Sequence, residues 1–314
     1  MMTYKLIHHI PGTLAVFTSA VLLAAVSVAS AQESFKSTDA AVDALVGAVK
    51  SGNQRTILRV LGRGASDIVS SGDPVDDATT RQRFLAAYDA KHSLSMEGDN
   101  KAVMILGQED YPLPIPIVRD GDVWKFDVAA GREEILYRRI GRNELDTMQA
   151  SLAYVDAQNE YAEKDRTGAG KGVYAQRILS RPGKKDGLYW PSEQGADESP
   201  LGELVAKATA QGYRTRGGPT PFHGYYYKIL TEQGPAAPGG ELDYVVKGKM
   251  IGGFALIAYP AEYRNSGVMT FIISHAGVLY QKDLGPKTTR LAKRLSWFNP
   301  DKTWEKVEPP PAAQ

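Results

Sequence analysis

The stretch "PFHGYYYKIL", residues 221–230, sets one histidine beside three consecutive tyrosines. An imidazole among phenols has the makings of a general base or a ligand-binding wall, provided a carboxylate orients it and a nucleophile or metal answers it. If the stretch is a strand, alternate residues share a face. His223, Tyr225 and Tyr227 then line one side, while Phe222, Gly224 and Tyr226 line the other. Three rings on one face would either stack against a sugar or pack beneath a helix. The chain holds only five histidines and no H-x-x-x-H pair. His8 and His9 fall in an apparent leader, which leaves His92, His223 and His275 scattered. The structural role is favoured over catalysis.

Arginines give a second constellation. "RRIGRNE", residues 138–144, carries Arg138, Arg139 and Arg142. Such a group can grip a carboxylate or phosphate in fork geometry. It can equally form ion pairs within a helix or where two domains join, with Glu134 spaced to attract Arg138, and the joining role is favoured. Tyr189 and Trp190, taken with the tyrosine run, would suit glycan binding if they form an exposed shelf.

Other motifs fail on their chemistry. "GAGKG" lacks the Ser/Thr and the preceding strand of a phosphate loop, so it reads as a linker. "DRTGAGKGVY" offers calcium Asp165 and Thr167 but no closing carboxylate. No G-x-S-x-G, S-x-x-K or H-E-x-x-H occurs. Glu262 and Asp283 are single carboxylates of the kind that is normally solvated. No catalytic residue, metal ligand or cofactor is expected.

The bulk composition narrows the classes. With 37 basic against 36 acidic residues the net charge is +1, too little to hold nucleic acid. There is no cysteine, which excludes thiol nucleophiles and thiolate metal sites. A weakly basic start, the apolar "LAVFTSAVLLAAVSVA" and "ASA" before Gln32 predict a signal peptide cut between Ala31 and Gln32. That run is short for a membrane span, so a periplasmic or secreted protein without a stable membrane span is expected.

Elements that would position these residues follow from periodicity. Residues 37–51 carry Ala41, Val42, Leu45, Val46 and Val49 at helical spacing. Short helices are expected over 54–62 and 76–92, the second with Phe84, Leu85 and Tyr88 on one side. Alternating strands follow, with a tight turn at Asp120–Gly121. Residues 131–163 form a long helix with a stripe of Leu145, Met148, Leu152 and Val155, and Gly141 predicts a break or hinge. After a loop-rich stretch and a short helix, "LGELVAKATAQG", the last third is strand-like, with a hairpin turning at Ala276–Gly277.

The fold class expected is therefore α+β. It comprises an N-terminal helix-rich cone with a curved antiparallel sheet, then a long helix packed on a C-terminal antiparallel meander. The domain plan is a signal peptide over 1–31, a cone-like unit over 32–140, a second unit over 141–305 and a disordered tail over 306–314.

Three resemblances accompany this plan. The opening helix, "VKSGN" and the late "VWKFDV" strand resemble the cone fold of nuclear transport factor and SnoaL-like proteins. Such a cone implies a pocket that Trp124, Tyr88 and Asp127 would line. "EYAEKDRTGAGKGVYAQ" and the C-terminal hairpin resemble the soluble part of type II secretion pseudopilins, although a whole domain precedes the helix here. Over most of the chain, "LGRGASDIVSSGDPV", "GREEILYRRIGRNEL", "PGKKDGLYWP", "PFHGYYYKIL", "GKMIGGFALIAYPAEYRNSGVMTF" and "LYQKDLG" look like the bacterial secreted family termed domain of unknown function 2950. That last likeness carries no activity or ligand onto these positions. A non-enzymatic binding or assembly module with a protein or cell-wall partner is expected, the alternatives being a small-molecule site or enzyme in the cone, or glycan binding.

Overall fold

The first helix begins where Ser37 accepts a hydrogen bond from the Ala40 amide at 3.1 Å. This is α1, Thr38–Ser51, and it ends at Gly52 in the left-handed conformation. Its buried residues include all five of the predicted stripe. The computed structural model describes residues 32–192, 197–214 and 220–308. The expected signal peptide and residues 309–314 of the expected tail lie outside the described residues.

Helix α2, Gln54–Leu61, is capped by Asn53, and the single turn α3, Ser66–Val69, follows. Helix α4, Pro74–Ala90, starts with proline at its first position and Asp73 as cap, both suited to a helix start. Strands β1 (His92–Met96), β2 (Lys101–Leu106), β3 (Tyr111–Pro112), β4 (Ile117–Asp120) and β5 (Val123–Phe126) form an antiparallel sheet. Its order is β1-β2-β4-β5, with β3 on β2. Leu45, Val60, Met104, Ile117 and Phe126 are buried in one core.

Helix α5, Val128–Ala162, is unbroken over 35 residues, about 50 Å at 1.5 Å per residue. The break expected near Gly141 does not occur. A mid-helix glycine costs only about 1 kcal/mol, and anchors on either side outweigh that: Arg139 and Asn143 are both buried. The expected boundary between residues 140 and 141 therefore falls inside a continuous helix whose ends enter two cores.

The buried face of α5 also differs from the stripe read by hydrophobicity. Leu145 is 45% exposed, whereas Asn143, Thr147, Ser151 and Gln158 are buried beside Met148, Tyr154 and Val155. These polar residues are tolerated because they are bonded. Asn143 donates to the Ser266 carbonyl at 2.9 Å, and Gln158 donates to the Ala175 carbonyl and accepts from its amide, both at 2.8 Å.

Below α5 lies the second sheet, an antiparallel meander of β6 (Tyr225–Leu230), Ala255–Pro260, Met269–Ser274, Leu279–Asp283 and Glu305–Val307, adjacent in that order. The predicted hairpin closes at Gly277, whose amide donates to the Ser274 carbonyl. Successive residues of β6 face opposite ways. The Tyr227 hydroxyl reaches Thr147 of α5 at 3.3 Å, and Lys228 reaches the Lys293 carbonyl at 3.0 Å. The sheet is thus covered by α5 on one side and by a last helix, residues 288–294, on the other. Between the two sheets in the chain comes α6, Gly202–Ala210.

Candidate functional site

Side chains of possible chemistry converge where the start of α4 meets the start of β6. Asp73 is 1% exposed. One carboxylate oxygen accepts from the Val75 and Asp76 amides at 3.1 and 3.2 Å, capping α4. The other accepts from the Tyr213 hydroxyl at 2.8 Å and the Gly224 amide at 3.0 Å. A single buried anion therefore ties three separate segments together.

His223 is not part of the strand, which corrects the expected sharing of a face. Phe222 and Tyr225 exchange backbone hydrogen bonds, so His223 and Gly224 form the two-residue turn between them. Both have positive φ, 50° and 73°, the geometry of the tight turns that suit strand twist. At Gly224 a Cβ would also lie 2.6 Å from the Asn143 amide nitrogen, so only glycine fits. The His223 amide donates to the Tyr213 hydroxyl at 3.2 Å, and its Nδ1 lies 3.2 Å from an Asp146 oxygen. Asp146 is the orienting carboxylate that the sequence did not reveal.

Two tyrosines of the run pack beneath α5. Tyr225 is 0% exposed, and its hydroxyl donates to the Met269 carbonyl at 3.0 Å. Burial, reinforced by the charge of Glu144, raises its phenol well above the ordinary value. Glu144 itself accepts from the Val268 and Met269 amides, each at 2.9 Å. Burial likewise raises the Tyr227 phenol, against the opposing hydrogen bond with Thr147.

The three arginines point to three places. Arg138 is exposed, paired with Glu134 and 4.7 Å above the Tyr111 ring. Arg139 is 8% exposed and donates to the Asp67 carbonyl at 2.7 Å, the Ile68 carbonyl at 2.6 Å and the Asn265 side chain. Burial lowers its pKa, opposed by Asp77 and Asp76. Asp77 is raised by the same burial, opposed by hydrogen bonds from Ser71 and by Arg139. Arg142 lies 3.2 Å from Asp76. Arg139 and Arg142 stitch the helical N-terminal part to α5 and the 262–266 turn, and the group does not present one fork.

Tyr189 and Trp190 lie apart from the tyrosine run, in the wall of a recess with Lys184 and Lys185. Trp190 is 5% exposed, and its indole N–H donates to the Asp197 carbonyl at 3.0 Å. Of the residues suggested for a cone pocket, Tyr88 stacks on His92, Trp124 pairs its backbone with Phe35, and Asp127 caps α5. Asp165 turns its carboxylate onto the amides of Thr167, Gly168 and Ala169. Burial works to raise its pKa, but the loop amides together outweigh that and lower it. Among the described residues no group of three His, Asp or Glu side chains is placed to hold a metal ion.

The sequence reading passed over an apolar pocket of about 250 Å³ between α6 and the second sheet. Leu204, Val205, Tyr213, Phe222, Tyr226 and Tyr227 are among its walls. The signal was present in "LGELVAKATAQG", where Leu201, Leu204, Val205 and Ala208 make one helical stripe. Leu201 is buried at the edge of the second core, while Leu204 and Val205 stay half-buried against it and line the pocket.

These features define an α+β chain with two cores on one long helix, a bonded polar junction and an apolar pocket beside it. The family model described as "Protein of unknown function (DUF2950)" matches residues 32–307, and the chain belongs to that family. No curated protein and no solved structure matches, so the likenesses to the cone fold and to pseudopilins rest on sequence alone.

Proposed function

We infer that this chain is a non-enzymatic binding module of the cell envelope, and that its ligand enters the pocket under α6. The observation that carries this reading is an amphipathic helix whose Leu204 and Val205 are only half-buried and help wall a space of about 250 Å³. Such under-filled apolar concavities are the usual form of small-molecule sites. The nearby groups that would do chemistry are instead occupied. Glu144 and Arg139 each bond two backbone groups across the junction, and Asp73 bonds the Gly224 amide across it besides the two amides of the helix that it caps.

The leader-like start supports an envelope location, and among the described residues no helix is long and apolar enough to cross a membrane. Protein recovered from the envelope fraction should begin at Gln32. For the binding reading, the test is titration with the environment-sensitive probe anilinonaphthalene sulfonate. One saturable site is expected, lost in Val205→Trp, which fills the pocket from the half-buried side of a short helix. Unsaturable binding, or binding untouched by that substitution, would overturn it.

A further inference from the structure

We propose that the pocket under α6 takes an amphipathic anion: an aliphatic chain of about ten carbon atoms ending in a carboxylate held by Arg214. This rests on the reading of the pocket as the binding site and specifies what it binds.

Size sets the chain. An apolar cavity of about 150 Å³ stays dry and accommodates benzene, with six carbons. In proportion, the pocket of about 250 Å³ holds about ten carbons.

The walls set the polarity. Three lining tyrosines spend their hydroxyls elsewhere: Tyr154 on the Ala255 carbonyl at 3.2 Å, Tyr213 on Asp73 at 2.8 Å and Tyr227 on Thr147 at 3.3 Å. Their ring faces remain for the ligand, beside Leu204, Val205 and Leu256. A polar ligand body would have to give up its water hydrogen bonds here without replacement.

Charge sets the head group. Arg214 lines the pocket and is exposed to solvent, and among the described lining residues there is no aspartate or glutamate. Among the described residues no carboxylate pairs with Arg214, and of the described lining residues it is the one that carries a charge. Thr209 and Thr220, also in the lining, add hydroxyl donors. A guanidinium with no carboxylate partner among the described residues, at the edge of an apolar recess, selects a carboxylate on an apolar tail.

Calorimetric titration of the whole mature chain with sodium decanoate, decanol and sodium butyrate decides the matter. Decanoate should bind one to one, more tightly than decanol, with butyrate about a thousandfold weaker because it forfeits six methylenes of burial. Arg214→Gln should weaken decanoate about fivefold, the size expected of a partly exposed charged contact, and leave decanol unchanged. Val205→Trp should abolish both, with circular dichroism confirming the fold. Equal binding of decanol and decanoate would overturn the anion assignment while leaving the pocket reading intact. Butyrate binding as tightly as decanoate would overturn the chain. Binding by neither ten-carbon compound, or binding indifferent to Val205→Trp, would overturn both the inference and the reading beneath it.

Discussion

The Tyr213 phenol donates a 2.8 Å hydrogen bond to the Asp73 carboxylate, 140 residues earlier in the chain. That one contact joins the polar junction to the apolar pocket, because Asp73 caps α4 while the Tyr213 ring is pocket wall. The wall of the pocket and the packing of the two halves against each other are thereby linked through one side chain.

Asp73→Ala should remove a helix cap and two long-range acceptor contacts, costing about 3 kcal/mol. Tyr213→Phe should cost about 1 kcal/mol, since only the hydroxyl is lost. In the double variant the losses should fall short of their sum by about 1 kcal/mol, because the shared bond is counted once. Urea unfolding of the four proteins provides the cycle, and strict additivity would show that the bond contributes nothing.

Arg139 is the second tie between the halves. Arg139→Met leaves the Asp67 and Ile68 carbonyls and the Asn265 side chain without this donor, a loss of about 3 kcal/mol. Arg139→Lys should recover only part of it, since an ammonium is a point donor and cannot span acceptors as a planar fork does. Equal stability of the lysine variant and the wild type in urea would contradict the fork geometry.

Legibility followed the kind of information each element carries. The stripe of α1 and the hairpin at Gly277 were visible because apolar periodicity and turn glycines are local signals. The buried face of α5 was not. Asn143, Thr147, Ser151 and Gln158 read as surface residues; Asn143, Thr147 and Gln158 become core through partners at Ser266, Tyr227 and Ala175, far off in the chain, and Ser151 through a bond to the Thr147 carbonyl. The turn at His223 hid for a related reason: His-Gly lacks the familiar Asn-Gly signature, and its positive φ is fixed by Asp73 and Asn143. The Asp73–Tyr213 pair had no local trace at all. The pocket did, in the stripe of α6, but a stripe alone does not say whether the space it faces is filled.

Alkaline pH should unfold the protein through its buried phenols. Tyr154, Tyr213, Tyr227 and Tyr244 are all raised by burial, with Asp73 adding to the effect at Tyr213. In the unfolded chain these groups ionise near the ordinary value of about 10. A folded pKa above the unfolded one means that their contribution is intact below about pH 10 and is lost as pH rises beyond it. Each such phenol adds a slope of about −1.4 kcal/mol per pH unit. Tyr227→Phe should therefore make the decline shallower by about that amount. Unfolding free energies at about pH 10 and above, measured in urea beside an ultraviolet titration of the phenols, check this. Tyrosines that ionise freely in the folded protein would refute it.

Gly141 gives a prediction of the opposite sign. It is exposed, and a Cβ added there would meet no atom within 4 Å. It lies in the interior of α5 with helical neighbours on both sides, so nothing in the fold requires its freedom. Glycine in such a place costs about 0.5–1 kcal/mol relative to alanine, largely through the entropy it retains when unfolded. Gly141→Ala should stabilise the protein by that amount and leave ligand binding under α6 unchanged. A loss of stability would mean that α5 bends at this residue in solution, and that the hinge suggested by the glycine is used after all.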